Sequence, residues 1–379
     1  MVAAPSAPLS ETFFAALDDL LMQICEELQV SPTRYDLAVD RYGSLNSLLE
    51  SSGSPFRYFR PEIYPQGSVA LGTTVKPVNG PHDLDFVLEL SSYLRGPMQL
   101  ITELYEFLHS HGKYGPMTTR KNRCVRIEYA DEFYMDVLPA CRNAAAVGTC
   151  IKIPDCALRG WCDSNPRGYI SWFKEQSGKR FVDRLLEKAA PIPDQQAVSE
   201  KNTLQLVVQL SKRWRDRYYA DADPELAPIS IVLTTLAADT YRGEQSISKA
   251  IASMLNDTAK LIDVSRRAGE NHLHLCNPSN VAEDLTERWD SNPTAYDAFE
   301  RGIRDFQRRW TRMIARGTNV HAELEALFGE TVGTVLKKRA QKVQELRRDR
   351  NVGVTASGLI MSSAGAAVTA RPNTFYGAE

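Results

Sequence analysis

The chain has 379 residues and a formal net charge of −2. That length allows two lobes and a substantial core. The near-neutral balance lacks the basic excess that grips a polynucleotide, which favours small substrates.

In chain order, Ser10 caps a first helix with the apolar stripe Phe13, Phe14, Leu17, Leu20, Leu21 and Ile24. A second helix starts at Ser31-Pro32, a cap followed by a first-turn proline. "QGSVALGT" then runs from Gln66 to Thr73 and sets Gly67 beside Ser68. Glycine lets backbone approach a ligand closely. Exposed N–H groups and the Ser68 hydroxyl suit phosphate oxygens. The competing reading is an ordinary loop of small residues, and no Walker sequence occurs.

After the turn at Asn79-Gly80-Pro81, "DLDFVLEL" reads as a strand, with Leu84, Phe86, Val87, Leu88 and Leu90 apolar. Residues i and i+2 share a face, so Asp83 and Asp85 project side by side. Two close carboxylates repel unless a cation neutralises them. Hard oxygen donors favour Mg²⁺ or Mn²⁺. A solvated strand end is the plainer alternative.

A helix follows from Pro97, closed by Gly112, and residues 124–138 read as a hairpin. Its return strand carries Asp136 within "YMDVL". An acid in an otherwise buried strand must be paired or metal-bound. The pairing alternative names Arg126 or Arg120. One mixed sheet backed by helices would bring Asp83, Asp85 and Asp136 together.

From about residue 197 the pattern is helical. "TLQLVVQLSKRWRDRYY" is amphipathic, with Leu204, Val207, Val208 and Leu210 inward and Lys212, Arg213, Arg215 and Arg217 gathered later. "PISIVLTTLAADTY" is apolar nearly all round and predicts a buried helix. Further helices are expected over 246–256, 293–316 and 321–350, and a flexible tail over 351–379. The resulting division is 1–196 as a core with N-terminal helices, 197–350 as a helical lobe, and the tail.

The seven cysteines, Cys25, Cys124, Cys141, Cys150, Cys156, Cys162 and Cys276, include no C-x-x-C pair, and His272 and His274 have only Cys276 nearby. Neither a zinc site nor a disulfide framework is expected, and the usage suits a reducing cytosol. No apolar stretch reaches membrane-spanning length and no signal peptide is read, so the expected location is cytoplasmic with no membrane partner.

The ordered series "PQGSVALGT", "DLDFVLEL", "YMDVLPA", "SNPRGYISWF", "VVQLSKRWRDRYY" and "PISIVLTTLAADTY" resembles the bacterial CD-NTases, the cGAS/DncV-like enzymes of CBASS antiphage operons. The likeness runs from about residue 10 to about residue 350. It implies an α+β fold: a polymerase-beta-like nucleotidyltransferase core, a mixed sheet with helices, packed on a mostly helical second lobe. It implies cyclic oligonucleotide synthesis from nucleoside triphosphates, with an adenine-containing di- or trinucleotide product, hence ATP, and an effector reached through that product. The zinc ribbon with which animal cGAS grips DNA has no counterpart here.

On this reading two Mg²⁺ or Mn²⁺ ions sit on Asp83, Asp85 and Asp136, which are also the catalytic residues. Gln66, Gly67 and Ser68 hold phosphates. By position Lys212 and Ser230 match the family's triphosphate contacts, with Arg213 or Arg215 as alternatives because helix phase is open. Tyr64, Trp161, Tyr169 and Tyr241 compete as the base-stacking aromatic. The ending "NTFYGAE" resembles a substrate of a ubiquitin-activating-like ligase. The rival readings are a template-independent RNA or tRNA nucleotidyltransferase, which needs an RNA-binding surface, and a catalytically inactive nucleotide-binding module, which predicts eroded carboxylates.

Overall fold

The computed structural model describes residues 10–178 and 191–348, apart from seven loop positions (79, 94, 131, 144, 147, 221 and 222), together with three short strands between 352 and 369. Helices α1 (Glu11–Leu28) and α2 (Pro32–Glu50) start where the caps place them: the Ser10 and Ser31 hydroxyls accept the N–H groups of Phe13 and Arg34. Then follow β1 (Glu62–Pro65), α3 (Gly67–Leu71), β2 (His82–Leu90), α4 (Pro97–Ser110), β3 (Thr118–Arg120), β4 (Val125–Tyr129), β5 (Phe133–Arg142), β6 (Ile151–Asp155) and β7 (Gly160–Ser164). Helix α4 ends at Ser110 and is capped by His111, one residue before the expected Gly112.

These strands form one seven-stranded sheet in the order β1-β2-β5-β4-β3, with β6 paired to β5 and β7. Strands β2 and β5 run parallel and the other pairs antiparallel, so the sheet is mixed. Alternation assigns its two faces. Leu84, Phe86, Leu88 and Leu90 of β2, Met135 and Val137 of β5, and Val125 and Ile127 of β4 pack in one core with Tyr42, Leu45, Leu100 and Leu104 of α2 and α4. The intervening residues, Asp83 and Asp85 among them, face the other way.

The remainder is mainly helical: α5 (Pro166–Gln176), α6 (Thr203–Tyr218), α7 (Ser230–Thr240), α8 (Ile247–Arg267), the small hairpin β8 (Cys276–Asn277) and β9 (Asn280–Asp284), α9 (Arg288–Ser291), α10 (Pro293–Arg316), α11 (Val320–Phe328) and α12 (Glu330–Arg348). Helix α8 runs well past the expected 256. The single helix expected over 321–350 is two, because Gly329 takes a φ of +75° and ends α11. Within the expected tail, β10 (Val352–Val354) pairs antiparallel with β11 (Ile360–Ser362) and with β12 (Val368–Thr369).

Packing also crosses the expected boundary near residue 196. Leu17, Leu20, Leu21 and Ile24 of α1, and Tyr169, Ile170 and Phe173 of α5, join the same core as Leu204, Val208, Trp214, Leu236, Phe299, Phe306 and Trp310. An amphipathic stripe buries against whichever apolar face closes over it, irrespective of chain distance. The sheet's second face and this helical body enclose a cleft.

Candidate active site

The site is built on a row of side chains crossing the sheet. Asp85 on β2 stands opposite Asp136 on β5, Asp136 opposite Arg126 on β4, and Arg126 opposite Thr119 on β3. Such neighbours on one face sit close enough to interact directly. Asp83 flanks Asp85 on the same face of β2. The three acids foreseen from sequence are therefore brought together.

One feature of the triad departs from the metal-binding expectation. Arg126 donates through Nε to Asp136 Oδ1 at 2.7 Å and through Nη2 to Asp136 Oδ2 at 2.7 Å. The same Nη2 reaches Asp83 Oδ1 at 3.1 Å. The guanidinium lies over the Tyr134 ring, 4.5 Å from its centroid. The hydrogen bond to Asp136 raises the basicity of Arg126, which keeps it firmly charged. As placed, no three His, Cys, Asp or Glu side chains among the described residues are grouped to hold a metal ion. Arg126, one of the two arginines named as an alternative partner, thus pairs with Asp136. Arg120, the alternative partner, bonds instead to Thr102 and Cys156.

The donor set nevertheless fits a divalent ion. Burial, with Asp136 and Asp83 beside it, pushes the Asp85 carboxyl up to about 7. Hard carboxylate oxygens crowded to that degree suit Mg²⁺ or Mn²⁺.

Above the acids lies the Gly67–Ser68 turn. Gln66 N–H donates to the Asp85 carbonyl at 2.9 Å, pinning α3 to β2. Gly67 opens α3 with a φ of +56°, and a Cβ there would stand 2.8 Å from Asp85 Oδ2. Glycine is required at this position both for the left-handed backbone and for the close approach.

Helix α6 secures the loop after α3 from the other side. Gln205, Gln209, Lys212 and Arg213 share a face by helical spacing. They donate to the carbonyls of Leu71, Thr74, Thr73 and Lys76 respectively, at 2.7–3.1 Å. Lys212 also meets the Thr73 hydroxyl at 3.2 Å. Burial pushes its ammonium down to about 7. Ser230, the first residue of α7, receives the Arg215 guanidinium, which also bonds Asp216. Lys212 thus holds the loop after α3, while Arg215 reaches Ser230.

Gln66, Gly67, Ser68, Asp83, Asp85, Lys212, Arg215 and Ser230 all border one cavity of about 850 Å³. That lies within the range of small-ligand sites. Of the four candidate aromatics only Tyr169 reaches it, with its hydroxyl bonded to Thr235. Tyr64 is buried against Glu89 and Arg167, Trp161 packs beside the sheet core, and Tyr241 bonds the Glu244 carbonyl.

Sequence reasoning missed Tyr219, Asp216, Arg288 and Glu283 on the cavity wall. Glu283 accepts from the Ser164 hydroxyl, Asn165 N–H and the Asn277 amide, tying β9 to the start of α5. It lies far along the chain from the other site residues, in a hairpin with no motif.

Residues 16–177 match the Second Messenger Oligonucleotide or Dinucleotide Synthetase domain. A c-di-GMP synthase of Roseivirga ehrenbergii is 32% identical over 370 residues, covering 95% of this chain and 97% of that protein. The chain belongs to the bacterial CD-NTases. The cyclic dinucleotide synthase CdnG of Bradyrhizobium diazoefficiens is 26% identical across 94% of this chain and 91% of its own. The structure of the Bradyrhizobium CD-NTase CdnG in complex with GTP superposes with a TM-score of 0.70 at 24% identity, covering 86% of this chain and 100% of that one. Vibrio cholerae DncV, a cyclic AMP-GMP synthase, shares the fold at 14% identity with a TM-score of 0.51 over 86% of this chain and 92% of its own. This CD-NTase is accordingly a nucleotidyltransferase that makes cyclic oligonucleotides, with the polymerase-beta-like mixed sheet and helical second region of its family. None of its described helices is long and apolar enough to cross a membrane.

Proposed function

We propose that this CD-NTase joins two GTP molecules into a cyclic dinucleotide, with Asp83, Asp85 and Asp136 as the catalytic carboxylates. The observation that carries the reading is the convergence of these acids near the Gly67–Ser68 turn, with Asp83 and Asp85 on the wall of the 850 Å³ cavity and Asp136 opposite Asp85 on the neighbouring strand. The name of the Roseivirga relative and the GTP in the Bradyrhizobium structure support guanine over the adenine expected from sequence.

The carboxylates would hold Mg²⁺ or Mn²⁺, which when bound neutralises triphosphate charge and acidifies the attacking hydroxyl. This chain's own residues supply the positioning. Gly67 and Ser68 present the turn at the phosphates. Lys212 and Arg215 add positive charge opposite the acids, and Ser230 orients Arg215. The cleft between sheet and helices holds a linear intermediate in place while its other end becomes the acceptor.

We read the product as a messenger to an effector in antiphage defence. The proposed coupling of the C-terminus by a ubiquitin-activating-like ligase concerns "NTFYGAE", which lies outside the described residues.

The test is incubation with each nucleoside triphosphate singly and in pairs, with Mg²⁺ or Mn²⁺, then phosphatase digestion and mass spectrometry. A resistant cyclic diguanylate is expected from GTP alone, and none from the Asp83→Ala, Asp85→Ala double variant. A resistant product formed only with ATP rejects the base assignment. An undiminished product from the double variant rejects the site.

A further inference from the structure

The cation that the triad holds in this structure belongs to the chain. Arg126 engages both oxygens of Asp136 and one of Asp83. Its position is built rather than incidental. Antiparallel register sets it opposite Asp136, and Tyr134, two residues before Asp136 on the same strand, lies under the guanidinium. The pair is largely shielded, with side chains 20% and 16% exposed. A bidentate, charge-assisted pair of this kind is strong and directional. Asp83 is 57% exposed and contributes a single longer contact, so the arginine's hold on it is weaker.

A guanidinium and a divalent ion cannot take the same carboxylate oxygens at once. We propose that Arg126 is a resident counter-cation that competes with the metal: it occupies Asp136 and Asp83 in the metal-free enzyme and must turn away before all three acids can bind an ion. The inference rests on the proposed metal role of the acids. It goes further by making Arg126 the residue that weakens metal binding when no nucleotide is present. A fraction of molecules with Arg126 displaced binds the ion, and apparent affinity scales with that fraction. Arg126 reaches the cavity wall through Asp83, so an anionic triphosphate bound there offers the guanidinium another partner and raises the fraction.

The experiment titrates Mn²⁺ into the full chain without nucleotide and follows unbound Mn²⁺ by electron paramagnetic resonance. Wild type is compared with Arg126→Gln, Arg126→Lys and Asp85→Asn, with folding checked by circular dichroism. Arg126→Gln is expected to bind Mn²⁺ roughly tenfold more tightly than wild type, as for a competent fraction near one in ten. Arg126→Lys, which keeps charge without the planar fork, is expected between the two. If Arg126→Gln does not fold, Arg126→Lys carries the test by the same criterion. Saturating Mn²⁺ should also raise the melting temperature of the arginine variant more than that of wild type.

Equal or weaker Mn²⁺ binding by a folded arginine variant overturns the inference. If Asp85→Asn then still abolishes binding, the metal role of the acids stands and only the competition falls. Absence of Mn²⁺ binding in every protein, with or without GTP, overturns both.

Discussion

Arg126 and Asp136 face each other across β4 and β5 and are joined by two hydrogen bonds of 2.7 Å. This ion pair balances charge on a sheet face where Asp85 and Asp83 would otherwise stand beside an uncompensated carboxylate. Removing one partner of such a half-buried pair leaves the other stranded. Arg126→Ala is therefore expected to lower stability by about 1–3 kcal/mol in urea titrations. The double variant Arg126→Met, Asp136→Leu should recover most of that loss. A single variant as stable as wild type would show that the pair contributes little to folding.

Gly67 and Gly43 offer a matched contrast. A methyl at Gly67 meets Asp85 Oδ2 at 2.8 Å on a backbone with φ of +56°. Gly43 is exposed within α2, and a Cβ there meets nothing within 4 Å. Gly67→Ala should cost about 1–3 kcal/mol and most of the cyclic product. Gly43→Ala should stabilise by about 0.5–1 kcal/mol with product formation unchanged. Thermal melts and product yield at equal folded concentration check both.

Lys212 is expected to couple nucleotide binding to a proton. Burial holds its ammonium near 7, well below the ordinary lysine value of about 10.4. At pH 8 burial alone therefore holds it mostly neutral, and an arriving triphosphate favours the charged form. Calorimetric titration of GTP in buffers of different ionisation enthalpy should show proton uptake, absent in Lys212→Met. The sign for stability follows from the same shift. Between about 7 and 10.4 the unfolded chain binds this proton and the folded one does not, so this group makes stability rise with pH across that window. Lys212→Met should flatten that rise.

Glu283 closes the cavity's far wall. It accepts three hydrogen bonds, from Ser164, Asn165 and Asn277. Glu283→Ala leaves those donors without their acceptor and should cost roughly 2 kcal/mol. Glu283→Gln keeps an acceptor oxygen and should cost less. Urea midpoints measure both, and an unaltered midpoint for Glu283→Ala would remove the structural role assigned to this wall.

Local chemistry alone placed the caps at Ser10 and Ser31, the facing of Asp83 with Asp85, the hairpin that carries Asp136, and the buried character of α7. Each depends on neighbours a few residues apart, through capping bonds, period-two alternation or helical spacing, and those rules are written in the chain. The ordered motifs likewise made the family and the cleft's acids legible. Folding in three dimensions decided the rest. The register of β4 against β5 chose Arg126 over Arg120 as the partner of Asp136. The phase of α6 sent Lys212 to Thr73 and left Arg215 to meet Ser230. Closure of the helical core drew α1 and α5 across the expected boundary and brought Glu283 to the cavity. These outcomes turn on which distant surfaces meet and in what register, and short-range propensity carries no information about either.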